Sequence, residues 1–207
     1  MNKRLVKLSD KILLSNSFYP EGHSYEEAPL KAKGMESCTI QELISTDFHK
    51  KYSSKDDHYF FPGRHIKKMY RYRVADTDFN HPDEYRFCLL PIDIDIHEGK
   101  NRTKWMDKFE AKDSLRELFR LLETKNIDDY CRVMVSSRGG IRLIFILEEY
   151  VNSLEWRFLY ENLVKNICEA VQGNFTDRGK MTFQLSTVKC TLDPRNPGSL
   201  TRVPLRS

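Results

Sequence analysis

The sequence predicts a protein of the α/β class, of α+β type, in which an antiparallel sheet is combined with two helices. Three observations predict it. Apolar and acidic residues alternate in residues 90–97, LPIDIDIH, which is the period of a strand with two different faces. Apolar residues recur at helical spacing in 104–124 and in 154–171. Between these segments lie two apolar runs joined by a glycine pair, which indicates a β-hairpin.

The second half of the chain alternates in the order β-α-β-β-α-β. Its predicted elements are a strand at 85–96, a helix at 104–124, strands at 131–135 and 141–147, a helix at 154–171 and a last strand within 182–192. This is the split βαβ motif of ferredoxin-like and RNA-recognition-like folds. In that arrangement the first strand lies between the third and the fourth. We therefore expect residues 85–96 at the centre of the sheet.

Apolar stripes predict which face of each helix is buried. The first predicted helix is compatible with a break near Asp113. Its stripe comprises Leu115, Leu118, Phe119 and Leu122. The stripe of the second helix comprises Phe158, Leu163, Ile167 and Val171. We expect both stripes to face the core.

The first half of the chain has weaker periodicity. We expect residues 1–84 to form an N-terminal α/β annex, packed on a core of residues 85–207 as one compact unit. One helix is predicted at 39–52, because Ile40, Leu43, Ile44 and Phe48 fall on one face. Aromatic and cationic residues interleave in 57–73, which suits a groove for a nucleic-acid template and equally suits a half-exposed strand.

Composition limits the classes of protein that the chain can belong to. Of its 207 residues, 40% are hydrophobic and 31% charged, as in an ordinary soluble protein. No apolar run approaches the roughly 18 residues of a membrane span, and the first residues are too polar for a signal peptide. We therefore expect a cytoplasmic protein with no membrane partner. The net charge of +4 permits an anionic partner without requiring one.

Five cysteines are scattered along the chain, with no Cys-x-x-Cys pair and no histidine at the spacing of a zinc ligand. This distribution predicts reduced, mostly buried thiols. It argues against a disulfide scaffold, and no zinc is expected.

Asp93 and Asp95 are two residues apart on the first predicted strand, so both carboxylates project from one face. Two carboxylates this close repel each other unless a cation or a shared proton intervenes. Oxygen-preferring divalent ions such as Mg²⁺ or Mn²⁺ suit the pattern, and paired ions are used in phosphoryl and nucleotidyl transfer. An isolated Asp-x-Asp is equally compatible with two solvated acids on an exposed sheet face.

Two further segments are expected near this pair. In 136–142, SSRGGIR, backbone amides of a glycine turn and the side chains of Arg138 and Arg142 could cradle phosphates. The same residues also make a good hairpin turn with an exposed rim. Near the C-terminus, Asp193 ends the last predicted strand and can supply a third carboxylate, or can simply open a turn with the proline that follows.

The segments LLPIDIDIHEG, SSRGGIRLIF and LDPRNPGSLTRVP resemble the three motifs of the archaeo-eukaryotic primase superfamily, in that family's order and approximate spacing. They most resemble the compact primase-polymerases of plasmids, phages and other mobile elements. The resemblance spans residues 85–207. It implies a DNA primase or DNA polymerase, a nucleotidyltransferase that makes or extends a strand on single-stranded DNA from nucleoside triphosphates. It further implies two Mg²⁺ or Mn²⁺ ions and a helicase or accessory replication domain as partner.

The resemblance also assigns residues. It implies that Asp93, Asp95 and Asp193 are the catalytic metal ligands. It implies nucleotide contacts from Ser137, Arg138, Gly139, Gly140, Arg142 and Arg202. The sequence departs from the family at Arg142, which stands where the family has a phosphate-contacting histidine. Arginine still binds phosphate, and bidentately, so nucleotide binding is expected while the effect on turnover is open.

Two other functions fit the same residues. One is a nucleic-acid-binding relative of primases that has lost turnover, which the arginine at position 142 favours. The other is a metal-dependent nuclease, which also uses clustered acids. The sequence does not distinguish ribonucleotides from deoxynucleotides, or the starting of chains from their extension. It is also compatible with one domain of a longer protein.

Overall fold

The structure is a computed structural model. It describes residues 4–15, 35–45, 59–60, 63–65, 85–97, 108–137, 140–177, 179–186, 188–193 and 201–202. The protein is mixed α/β, and the strand pairs whose register is defined are antiparallel. Within the described part, no helix has the length and apolar character that crossing a membrane requires.

The described strands and helices follow one another in this order. They are β1 (Lys11–Ser15), β2 (Met35–Thr39), α1 (Ile40–Ile44), β3 (Tyr59–Phe60), β4 (Gly63–His65), β5 (Tyr85–His97), α2 (Lys108–Glu123), a 3₁₀ turn (Asp128–Tyr130), β6 (Cys131–Ser137), β7 (Gly140–Val151), α3 (Ser153–Ala170), β8 (Asn174–Phe175), β9 (Met181–Gln184), β10 (Lys189–Leu192) and β11 (Thr201–Arg202).

Contacts divide the chain into two compact units, and the division passes through β5, β7 and α3. The first unit comprises Met1–Leu90, Ile146–Leu159 and Arg195–Val203. The second comprises Pro91–Phe145, Tyr160–Pro194 and Pro204–Ser207. The proposed division into an annex of residues 1–84 and a core of residues 85–207 stays a prediction.

The first unit contains a four-stranded sheet in the order β11-β3-β1-β2, and β4 pairs with the start of β5. The sequence interpretation missed β1 and β2, which are short and lack strong alternation, whereas β3 and β4 lie within 57–73, where a half-exposed strand was one of two expectations. The core of the first unit includes the buried Trp156, whose indole N–H donates to the carbonyl of Leu89 at 2.8 Å. Most of the aromatic and cationic segment 57–73 lies outside the described residues.

The helix predicted at 39–52 is wrong in length. Thr39 and Glu42 form a capping box, which explains why α1 begins at Ile40. The helix ends at Ile44, because Ser45 is extended and both its N–H and its hydroxyl donate to the carbonyl of Glu42. Of the predicted stripe, Ile40 and Leu43 are buried.

The second unit contains an antiparallel sheet in which β5 lies between β7 and β10, in the order β6-β7-β5-β10-β9-β8. Helix α2 has no break at Asp113, and Leu118 and Leu122 of its predicted stripe are fully buried. Phe119, which was expected to be buried, is 40% exposed.

Helix α3 starts one residue earlier than predicted, because Asn152 and Glu155 cap its first turn reciprocally. Ile167 and Val171 are buried, as the predicted stripe requires. Phe158 is 66% exposed, so its assignment to the stripe is wrong. The buried face at this end of the helix is instead set by Trp156 and Tyr160.

The single last strand predicted within 182–192 is wrong, because the segment forms the hairpin of β9 and β10. A turn closes it, with reciprocal backbone hydrogen bonds between Leu185 and Val188. The Glu117 carboxylate of α2 accepts from both the N–H and the hydroxyl of Ser186 and so holds the turn. The sequence does carry a signal for this hairpin. The apolar residues, which are buried in the structure, fall on odd numbers up to Leu185 and on even numbers from Val188 onward.

All five cysteines are free thiols, and four of them are buried, which confirms the prediction of reduced, mostly buried cysteines. Cys190 lies on β10 and is fully buried. Burial, with a smaller contribution from the Glu117 carboxylate, raises the pKa of its thiol to about 12. The thiol therefore stays protonated in the folded protein at pH values where an unfolded chain would ionise it.

This pKa predicts a loss of stability in alkali. The raised pKa of Cys190 favours folding below pH 9, and that contribution is lost as pH rises from 9.0 toward about 12, because only the unfolded chain then ionises. The slope for this one thiol is about 1.4 kcal/mol per pH unit. Urea unfolding of the wild type and Cys190→Ala, measured at several pH values above 8, should show a shallower decline for the variant. Parallel declines would contradict the prediction.

Candidate functional site

The acidic strand has the two faces that its sequence predicts. Ile92 and Ile94 are buried in the core, at 1% and 0% exposure. Asp93 is half-buried and Asp95 is exposed, so both acids project from the opposite face of β5. The alternation therefore positions two carboxylates on one face of an interior strand of the second unit.

Strand β7 brings a cation to the first of these acids. Arg142 donates from Nε to Oδ1 of Asp93 at 2.9 Å and from Nη2 to Oδ2 at 3.2 Å, which makes a bidentate pair. The side chains are 10% and 15% exposed, so the pair is nearly buried. Both oxygens of Asp93 thus interact with the guanidinium that was expected to bind phosphate.

Gly140 lies two residues before Arg142 on β7 and packs directly against β5. A Cβ atom at Gly140 would lie 2.6 Å from the carbonyl oxygen of Ile94, closer than the packed backbone allows. Gly140 therefore permits the close approach of β7 to the backbone that carries Asp95. Because Gly140 meets residues 94 and 95 while Arg142 reaches Asp93, the two strands run in opposite directions here.

The third acid is brought alongside by β10. Leu192 pairs with Ile94, so continuing the ladder by one residue places Asp193 across from Asp93, on the same face. Lys180, which immediately precedes β9, pairs with Asp193: its Nζ lies 2.8 Å from Oδ1 and donates a hydrogen bond to Oδ2 at 3.0 Å. Both carboxylate oxygens of Asp193 are therefore in contact with the Lys180 ammonium.

Four charged residues therefore follow one another across four strands, and we call them the charged row: Arg142, Asp93, Asp193 and Lys180. Like charges at directly opposed strand positions are destabilising. In the charged row, a cation at each end offsets the repulsion between the two acids in the middle. Asp95 occupies the next position on the same face, across from Thr191.

The remaining predicted site residues are distributed as follows. Ser137 pairs with Gly140 at the end of the β6–β7 hairpin. Arg138 and Gly139 lie outside the described residues. Arg202 is part of β11, pairs with Tyr59 and belongs to the first unit, so its phosphate contact stays a prediction. Lys180 was missed, because only the β9–β10 hairpin, which was predicted as one strand, brings it to Asp193.

The three acids of the site are candidate ligands for divalent ions. Carboxylate oxygens are the donors that Mg²⁺ and Mn²⁺ prefer, and Asp93, Asp95 and Asp193 supply three carboxylates on one face of β5 and β10. Within the described ranges, however, no three His, Cys, Asp or Glu side chains are grouped closely enough to hold an ion. The donor set therefore fits in its chemistry, and an ion would have to displace the contacts of Arg142 with Asp93 and of Lys180 with Asp193.

The chain was compared with protein-family models, with curated proteins and with solved structures, and none of them matched. A functional proposal therefore depends on the sequence motifs and on the geometry of the charged row.

Proposed function

We propose that the chain is a template-directed nucleotidyltransferase of the primase or primase-polymerase type. It makes or extends a strand on single-stranded DNA from nucleoside triphosphates and uses two Mg²⁺ or Mn²⁺ ions. The observation that carries the proposal is the placement of Asp93, Asp95 and Asp193 on one face of two neighbouring strands, with cationic side chains directly beside them.

The topology of the second unit supports the proposal. An RNA-recognition-like βαββαβ sheet has the strand order 2-3-1-4, and the order β6-β7-β5-β10 agrees with it. The acids then lie on the central strand and on its neighbour. The motif resemblance and the strand order are independent of each other, since the first concerns side chains and the second concerns backbone pairing.

Each residue has a defined task in this mechanism. Asp93, Asp95 and Asp193 would hold the ions, which when bound supply activation of a terminal hydroxyl and charge stabilisation at the α-phosphate. Arg142 would bind and orient the terminal phosphates, because its guanidinium already lies beside the carboxylates. The proposal retains phosphate contacts from Ser137, Arg138, Gly139, Gly140 and Arg202. A helicase or accessory replication domain is the proposed protein partner.

A second candidate function is favoured by one observation. The nearly buried, bidentate pair of Arg142 and Asp93 neutralises an acid that catalysis requires. A relative that binds nucleic acid without turnover could keep this pair permanently as a structural element. Such a protein would bind single-stranded DNA with the same affinity in EDTA as in Mn²⁺.

Asp95→Ala is the substitution that tests the catalytic proposal, because Asp95 is exposed and its loss should leave the fold intact. We expect synthesis on a primed single-stranded template with labelled nucleotides and Mn²⁺ to fall at least about 100-fold, since a group that stabilises the transition state is removed. The melting temperature should be unchanged. Asp113→Ala is the matched control, an acid that is 71% exposed on α2, and it should synthesise at the wild-type rate.

The products distinguish the candidate functions. Strands longer than the primer, abolished by EDTA, support the proposal. Shorter strands would indicate a nuclease, and binding with neither product would indicate the inactive relative. Full synthesis by Asp95→Ala would refute the assignment of the site.

A further inference from the structure

The β9–β10 hairpin carries one half of the charged row. Lys180 immediately precedes β9 and Asp193 immediately follows β10, so the register of the hairpin decides whether these two side chains meet. In that register Leu192 pairs with Met181, and the next position outward places Asp193 across from Lys180. A shift of one residue would turn the side chains of one strand to the other face of the sheet. The placement of Asp193 therefore depends on how the hairpin is closed.

The turn that closes this hairpin has an unfavourable sequence. Reciprocal backbone hydrogen bonds of Leu185 and Val188 enclose two residues, which are serine and threonine. Two-residue hairpin turns favour pairs such as Asn-Gly, because the turn types that match the twist of the strands need positive φ at the first position. Among the described non-glycine residues, positive φ occurs at Asn126 and Gln172, and thus not at Ser186. The turn residues alone therefore do not favour the twist of the hairpin.

Helix α2 supports this turn through one carboxylate. Both oxygens of Glu117 accept from the N–H of Ser186, at 3.0 and 2.9 Å, and Oε1 also accepts from the Ser186 hydroxyl at 2.8 Å. Hydrogen bonds to an ionised acceptor are about twice as strong as neutral ones. Burial and, to a smaller extent, the Glu117 carboxylate raise the pKa of the Cys190 thiol, so this charge also acts on β10. Glu117 thus ties the hairpin to a helix 69 residues earlier in the chain.

We propose that Glu117 is a positioning residue of the site, which fixes the closed end of the β9–β10 hairpin and so holds Asp193 beside Asp93 at the open end. Supporting residues hold a catalytic group within about 0.5 Å of its productive position. Glu117 acts through the hairpin, because the turn and Asp193 lie at opposite ends of β10. This inference rests on the proposed function, since that function makes Asp193 a catalytic residue. It concerns only where that carboxylate is held.

Glu117→Ala tests the role by separating turnover from binding, at a temperature where circular dichroism shows each variant fully folded. We expect kcat for primer extension to fall about tenfold while KM for the nucleotide changes less than about twofold, because a displaced catalytic group slows the chemical step. Hydrogen exchange should accelerate at the β9 and β10 amides and not at those of β6 and β7. Glu123→Ala, which removes an exposed glutamate at the end of the same helix, is the matched control and should change neither kcat nor exchange.

A favourable turn provides the decisive comparison. Ser186→Asn together with Thr187→Gly gives a turn that closes a two-residue hairpin without outside support. In the Glu117→Ala background, this pair of substitutions should restore kcat to within about twofold of the wild type and slow the exchange of the hairpin amides again. Restored stability without restored kcat would overturn the proposal. A Glu117→Ala variant that loses stability but keeps the wild-type kcat would overturn it as well, since the role of Glu117 would then be structural only.

The same measurements separate this inference from the proposed function. If the wild type extends a primer and Glu117→Ala extends it equally well, the positioning role is wrong and the proposed function stands. If the wild type makes no product, the proposed function is wrong, and the catalytic role assigned to Glu117 is wrong with it.

Discussion

Asp93→Ala is expected to lower the free energy of unfolding by about 3–5 kcal/mol, the range for removing one partner of a buried ion pair. Arg142 is 10% exposed and would keep its charge inside the protein without the carboxylate that binds two of its N–H groups. Urea unfolding followed by circular dichroism measures the loss. Synthesis should also disappear, since the same carboxylate is proposed to hold an ion.

Two further variants test whether the buried charge of Arg142 causes the loss of stability in Asp93→Ala. Asp193→Ala removes an acid whose ion pair is about half exposed, and should change the free energy of unfolding by less than about 1 kcal/mol. Replacing Asp93 and Arg142 together by leucine and methionine should restore most of the lost stability, because a packed apolar pair often replaces a buried ion pair without loss. A double variant as unstable as Asp93→Ala would contradict this explanation.

Gly140→Ala is the second substitution with a large expected effect. The added methyl group would lie 2.6 Å from the carbonyl oxygen of Ile94, and backbone of an interior strand cannot move aside as a flexible side chain can. We expect a loss of about 3 kcal/mol, at the upper end for overpacking. Synthesis should fall about 100-fold as well, because the obstructed backbone carries Asp95 and small misplacements of a catalytic group are costly.

Gly179→Ala is the control for this second substitution. No atom of the described residues lies within 4 Å of the Cβ position at Gly179, but its φ is +73°, so the main effect of alanine there is to adopt a left-handed conformation. That strain should cost about 1–2 kcal/mol. Hydrogen exchange of β5 and β7 amides should accelerate in Gly140→Ala and not in Gly179→Ala. Equal effects of the two substitutions on unfolding and on exchange would contradict the packing role of Gly140.

Secondary structure was predictable where one local period persists. The alternation in β5 correctly assigned Ile92 and Ile94 to the core, and the helical spacing located α2 and α3. The prediction failed where the period changed or was too short. The β9–β10 hairpin is marked only by a one-residue change of phase, and α1 ends early because Ser45 closes its last turn.

The sequence predicted the acids of the candidate site but not the ion pairs that these acids form. Asp93 and Asp95 share a face because they are two residues apart on a strand, and this needs no knowledge of the rest of the chain. Arg142 was expected to bind phosphate, whereas in the structure it pairs with Asp93. Lys180 was not predicted, since nothing in its immediate sequence points to an acid.

The sequence by itself determined the class of structure, the reduced state of the cysteines and the crowding of two acids on one strand. Each of these follows from composition or from a local period. Only the tertiary structure decided which charges meet. Arg142 lies 49 residues from Asp93 in sequence, and Lys180 lies 13 residues from Asp193. Such contacts depend on which strands lie side by side, and that order is set by the packing of the whole sheet rather than by a local pattern.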